Sequence, residues 1–288
     1  VDGPHLVWEN YEPAGSTIHI SSAQEFIDKI AQNGADTEGK TYVLDNDIDF
    51  STISNYVAKT NFAGTIIGNG HTIKNLTSDQ GLFVTTTNTA SISDLTLENF
   101  TITASSGGIG ALVGVNRGDI DDVHVINSTI NGGSYQNIGG LAGYSYNATI
   151  SNSSSSATVS GGNYVGGLVG SSYATITNSY STGDVTGTED VGGLAGSTSG
   201  DISNSYSTGN VSGTDNIGGL VGNHTTGSTI SNSYATGDVT GTSSVGGLTG
   251  VTLPYAVISN SYATGTVTGT EYVGALAGLY DGVITNSF

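Results

Sequence analysis

The chain has 288 residues, of which 45 are glycine and only 35% are hydrophobic, so it cannot fill one thick globular core. It can fill a thin core that recurs along an axis, each repeat burying its few apolar residues on its neighbours. A net charge of -19, from 24 acidic and 5 basic residues, leaves no basic patch. That excludes phosphate-backbone binding to nucleic acid and attraction to anionic lipid, and no apolar run is long enough to insert in a membrane. The absence of cysteine excludes disulfides and thiolate metal sites.

Residues 1–61 read as an N-terminal lead-in and capping region. Ser22-Ala23-Gln24-Glu25 has capping-box spacing, and Phe26, Ile27 and Ile30 follow on one helical face. The pattern predicts a short amphipathic helix over 23–33 that caps the end of the fold. Thr41-Tyr42-Val43-Leu44 reads as a strand that leads into the acidic stretch Asp45–Phe50.

From residue 62 to 288 short β-prone runs alternate with Gly/Asn corners. A glycine-rich core recurs as IGALVG (109–114), IGGLAG (138–143), VGGLVG (165–170), VGGLAG (191–196), IGGLVG (217–222), VGGLTG (245–250) and VGALAG (273–278). A second block keeps the same beat, as in ITNSYSTGDVTG (176–187) and ISNSYATGDVTG (230–241). Three short strands per repeat, with like strands side by side, define a coil. The expected fold is all-β: a right-handed parallel β-helix of about eight coils of 26–30 residues, three short strands each, forming one continuous domain. At ~4.8 Å per coil the rod is on the order of 40 Å long.

Stacking turns each repeat position into a ladder. Asn152, Asn178, Asn204, Asn232, Asn260 and Asn286 form a structural column, because asparagine tolerates left-handed corners and its amide can bond the next coil. Tyr180, Tyr206, Tyr234 and Tyr262 form an aromatic column, with Phe288 in phase. Alternation with Ser/Ala places the small residue inside and the ring outside. The column either simply stacks or serves as a platform for a glycan or protein partner. Thr186/Thr188, Ser212/Thr214, Thr240/Thr242 and Thr268/Thr270 place two hydroxyls per coil outward if the strand continues through the glycine between them. Such rows resemble ice-binding arrays.

Asp184, Asn210, Asp238 and Thr266 form a mixed column that needs no bridging cation. Asp45, Asp47 and Asp49 alternate like an oxygen-ligand set and are weak calcium candidates, without a loop glycine or a terminal Glu. Arg117, Asp119, Asp121, Asp122 and His124 form the densest titratable cluster and carry the alternative of a polysaccharide-active β-helix enzyme. That alternative requires Asp121 and Asp122 to line a groove with a second carboxylate within reach. No zinc-peptidase, serine-hydrolase or phosphate-loop motif occurs, so no catalytic residue and no cofactor is assigned.

The G-G-L-x-G core followed by I-x-N-S-Y-x-T-G-x-V resembles the GLUG motif of large bacterial and archaeal surface proteins, including the non-catalytic part of IgA-specific metallopeptidases. The resemblance covers about residues 40–288. It implies an extracellular or cell-surface module, adhesin-like or a structural stalk, and not an enzyme. The last coil, Ile284-Thr285-Asn286-Ser287-Phe288, has no polar capping element, which raises the expectation of head-to-tail self-association into filaments.

Overall fold

A computed structural model describes residues 12–32 and 34–288, and the first residues of the expected lead-in lie outside this range. The chain winds into a parallel β-solenoid of about 10 turns, with 51% of residues in strands. Three hydrogen-bonded sheets of 24, 8 and 6 strands run along it. The expected eight coils fall short because the lead-in is already wound. Thr17–Ile20 pairs in parallel with Thr41–Leu44, which pairs with Thr65–Ile67, and Ile18, Tyr42 and Ile66 stand 24 residues apart in one column. The column continues through Ile92, Ile120, Ile150, Ile176, Ile202, Ile230 and Ile258 to Ile284.

Two of the three expected pieces are themselves bent. The coil from 189 to 212 contains Glu189–Gly192, Ala195–Thr198, Ile202–Ser203, Tyr206–Ser207 and Val211–Ser212. The bend between the third and fourth segments is the asparagine corner. All six expected ladder asparagines, Asn152 to Asn286, have φ between 48° and 51°. Asp94 and Asp122 take the same left-handed corner in earlier coils. Neighbouring amides bond directly, Asn178 Nδ2 donating to Asn152 Oδ1 and Asn286 Nδ2 to Asn260 Oδ1, both at 3.3 Å.

The corner would strand a buried backbone N–H, and the serine after each asparagine satisfies it. The N–H groups of Ser153, Ser179, Ser205, Ser233 and Ser261 donate to the hydroxyl of the equivalent serine one coil further on, at 3.1–3.2 Å. Each of these hydroxyls in turn donates to the carbonyl two residues before it, as Ser205 Oγ does to Ser203 at 2.8 Å. The N-S pair of the repeat is therefore one hydrogen-bonding device.

The core changes character along the rod. Near the N-terminus it is aromatic: Phe62 and Phe83 lie 4.7 Å apart, and Phe26 meets Phe50 edge-on at 5.7 Å. Phe26 belongs to the expected helix, which is α-helical over Ala23–Phe26 and continues as a π-helical turn over Ile27–Ala31. Its N-cap forms, with Glu25 N–H donating to Ser22 Oγ, while the Glu25 carboxylate reaches one residue past the cap and accepts from Ser21 N–H. Further on, the inward column Ile73, Leu97, Val125 shrinks to Ser155, Ser181, Ser207, Ala235 and Ala263. The Gly-Gly strand passes directly over these small residues. A Cβ added at Gly167 would overlap Ser181 Oγ and the Gly193 carbonyl oxygen, and Gly193 stands in the same relation to Ser207 and Gly219. Leu168, Leu194, Leu220 and Leu248, all fully buried, fill what remains.

Candidate functional site

The tyrosine column forms as expected, with Ser181 and Ser207 buried and the rings on the outer face. Successive rings Tyr180, Tyr206, Tyr234 and Tyr262 lie 4.8, 4.8 and 5.0 Å apart, with interplanar angles of 0–5°, and Phe288 continues the stack at 5.6 Å. Their faces are therefore turned to one another, and the wall offers ring edges and hydroxyls. Partial burial, reinforced by the neighbouring phenols, raises the pKa of Tyr206 and Tyr234.

The acidic candidates do not converge. Asp45 lies 2.7 Å from His19. Asp47 accepts from Thr72 N–H at 3.1 Å and sits 3.7 Å from Lys74 Nζ, while Asp49 accepts from Ser51 N–H and Asn75 Nδ2. These hydrogen bonds hold the Asp47 and Asp49 carboxyls below their ordinary value. Each of the three calcium candidates thus has its own partner. Among the described residues, no group of three or more His, Cys, Asp or Glu is placed to hold a metal.

The mixed column is a hydrogen-bond ladder. Asp184 accepts from Asn210 N–H at 2.9 Å, Asn210 Oδ1 from Asp238 N–H at 3.0 Å, and Asp238 from Thr266 N–H at 2.8 Å. Asp119 and Asp121 act in the same way. Asp119 accepts from Thr149 N–H, and Asp121 accepts from Ser151 Oγ and Asn152 Nδ2. Asp122 stands at the left-handed corner with His124 at 3.0 Å, and His124 reaches Ser154 Oγ at 2.8 Å. Asp119 and Asp121 thus stitch one coil to the next, while Asp122 is held by His124 of its own coil. The threonine pairs are split, since the strand ends at Thr186 and the next begins at Glu189. Thr186 Oγ1 lies 3.1 Å from Ser212 Oγ.

Three features escaped the sequence reading. Asp190, buried at a left-handed corner, accepts from Asn216 Nδ2 at 2.8 Å and Asn223 Nδ2 at 3.2 Å, and burial raises its pKa. His224 is fully buried in an inward polar column with Thr198 and Thr252, and burial lowers its pKa to about 4. Its neutral ring lies 3.0 Å from the Ser228 carbonyl. The third is an aromatic cluster on the irregular coils, where Tyr146 stacks on Tyr173 at 5.0 Å and 12° with Tyr144 tilted against both. Beside it lies a cavity of about 270 Å³ lined by Asn88, Arg117, Tyr146 and Asn147. The signals for this cluster were the 30-residue step from Ile120 to Ile150 and three tyrosines close to one register.

Residues 134–160, 161–186, 187–212, 213–240 and 241–268 match the family described as the GLUG motif, five consecutive copies without a gap. Over these coils, just under half of the chain, the sequence carries GLUG-motif repeats. Over 164 residues, 49% of this chain, it is 34% identical to halomucin of Haloquadratum walsbyi, and it spans 2% of that protein's length. A crystal structure from Bacteroides ovatus, described as a candidate immunoglobulin A1 protease, superposes with a TM-score of 0.60 at 20% identity. That match covers 92% of this chain and 83% of the other, and shows the fold alone. Among the described residues, no helix is long and apolar enough to cross a membrane.

Proposed function

We propose that this chain is a non-catalytic module of an extracellular surface protein, a rigid adhesin-like rod. The observation that carries the reading is the use of the repeating polar side chains. Asparagines, serines and aspartates that would otherwise suggest chemistry are engaged in coil-to-coil hydrogen bonds. The fold thus invests its polar residues in a continuous stack. Its side walls offer exposed residues to a partner. Similarity to halomucin, by its name a mucin, supports a place in a large surface molecule. The strong acidity suits a solvated exterior that resists non-specific association.

Antibodies raised against the purified chain should label intact source cells, and protease added outside should remove the label. Labelling seen only after permeabilisation would contradict the proposal.

A further inference from the structure

The cavity beside the tyrosine cluster brings a cationic group, an aromatic surface and amides together away from the stacking ladders. Its construction follows from the coil register. Asn116 pairs with Ser145, and Tyr146 with Tyr173, so Arg117, Tyr146 and Tyr173 occupy the same position on three consecutive coils. Side chains at equivalent positions are spaced about 4.8 Å apart along the rod. Tyr173 and Tyr144 pack against Tyr146 and fix the ring that lines the cavity. Tyr146 and Tyr173 nonetheless remain 39% and 47% exposed.

Two further observations show how the cavity is formed. The strand Ala142–Ser151 is bulged against Val169–Thr177 between Tyr146 and Thr149, and Asn147 in that bulge has φ 46°. A bulge re-aims side chains, and here it brings Asn147 to the cavity alongside Asn88. Arg117 is the only arginine of a chain of net charge -19. Its backbone N–H is anchored by Thr86 Oγ1 at 2.9 Å. Among the described residues its guanidinium makes no ion pair, although Asp119 lies two positions away.

The geometry points to a subsite for a single carboxylated sugar, a uronic acid residue of a glycan, held by Arg117, Tyr146, Asn88 and Asn147. A planar guanidinium matches a carboxylate with two parallel hydrogen bonds. An immobilised phenol ring offers an amphipathic surface to the C–H side of a pyranose. The two asparagine amides supply both donors and acceptors for ring hydroxyls. A cavity of about 270 Å³ lies below the range of drug-sized ligands, which suits one sugar ring. The surrounding negative charge disfavours a dense polyanion and leaves an isolated acidic unit as the better match. The site deepens the surface-module reading and rests on it only for where a glycan is met.

The test uses the purified full chain, so that its failure and a failure of surface labelling are distinct results. Methyl glucuronide, methyl glucoside and N-acetylglutamate are titrated while the Arg117 side-chain N–H and nearby backbone resonances are followed by NMR. The expected result is binding of the glucuronide roughly tenfold tighter than of either other probe, since only it has both carboxylate and ring. Arg117→Gln should remove that preference and Tyr146→Ala should weaken binding, whereas Tyr234→Ser should leave it unchanged. Equal binding of glucuronide and glucoside overturns the site, as does equal binding of N-acetylglutamate, undiminished binding by Arg117→Gln with an unchanged thermal melt, or no response to any probe.

Discussion

The first coils and the GLUG coils solve one packing problem in two ways. Around residues 26–100 the inside of the solenoid is filled by Phe26, Phe50, Phe62, Phe83 and Phe100, all buried. From residue 138 onward the walls close until a Gly-Gly strand rests on Ser155, Ser181, Ser207, Ala235 or Ala263. Both ends keep the isoleucine column and the parallel ladder. The comparison teaches that coil identity lies in the register and the corner hydrogen bonds, while the cross-section is free to vary if facing positions change together. The proposed sugar site lies where the two regimes meet, at the coil that needs a bulge to join them.

The largest effect is expected in the aromatic half. Phe83→Ala removes a ring packed on Phe62 and Phe26 and should cost about 3–5 kcal/mol in urea unfolding. An unchanged midpoint would show that the aromatic core is dispensable. Next is a pH effect confined to the GLUG half. The folded pKa of His224, about 4, lies below its ordinary value of 6.5, so the folded state binds fewer protons between those values. Stability should be complete above pH 6.5 and decline as pH falls toward 4, by on the order of 3 kcal/mol. His224→Thr copies the residue found at this position in the adjoining coils, Thr198 and Thr252, and should flatten the decline in a melting-temperature series.

Ser205→Ala leaves the N–H of Ser179 without its acceptor and should cost about 1–3 kcal/mol. Tyr234→Ser interrupts the aromatic stack and should cost about 0.5–1.5 kcal/mol. Ser207→Ala should be the mildest, neutral or slightly stabilising, because Ser207 Oγ is buried with no hydrogen-bond partner and later coils carry alanine there. A large loss from Ser207→Ala, or none from Ser205→Ala, would reverse the assignment of which serine joins the coils. All three are read as shifts in chemical-denaturation midpoint.

The legibility of the sequence follows the same division. Where every coil repeats, the spacing of Asn204 and Asn232 alone predicts their corners, and the Tyr/Ser alternation predicts which faces inward. The lead-in hides its coils because Tyr42 and the phenylalanines replace the glycine signature, and their partners lie 24 residues away and outside the motif. The cavity at Arg117 was not legible because a bulge breaks the period that sequence reading relies on. His224 was hidden for a related reason: loops of differing length separate its column from the isoleucines, so no fixed spacing marks it. The carboxylates at 119–122 read as a cluster in sequence, but in space Asp119 and Asp121 bond the following coil and Asp122 bonds His124 of its own coil.

One uninterrupted solenoid runs from the aromatic coils into the GLUG coils. Native-state hydrogen exchange tests it most directly, because ladder amides in the stack are protected only if neighbouring coils are in place. Amides in Thr41–Leu44 and Thr65–Ile67 should exchange slowly, at rates comparable to those in Val169–Thr177 and Thr229–Ser231. Fast exchange throughout 41–67 beside protected GLUG coils would contradict it.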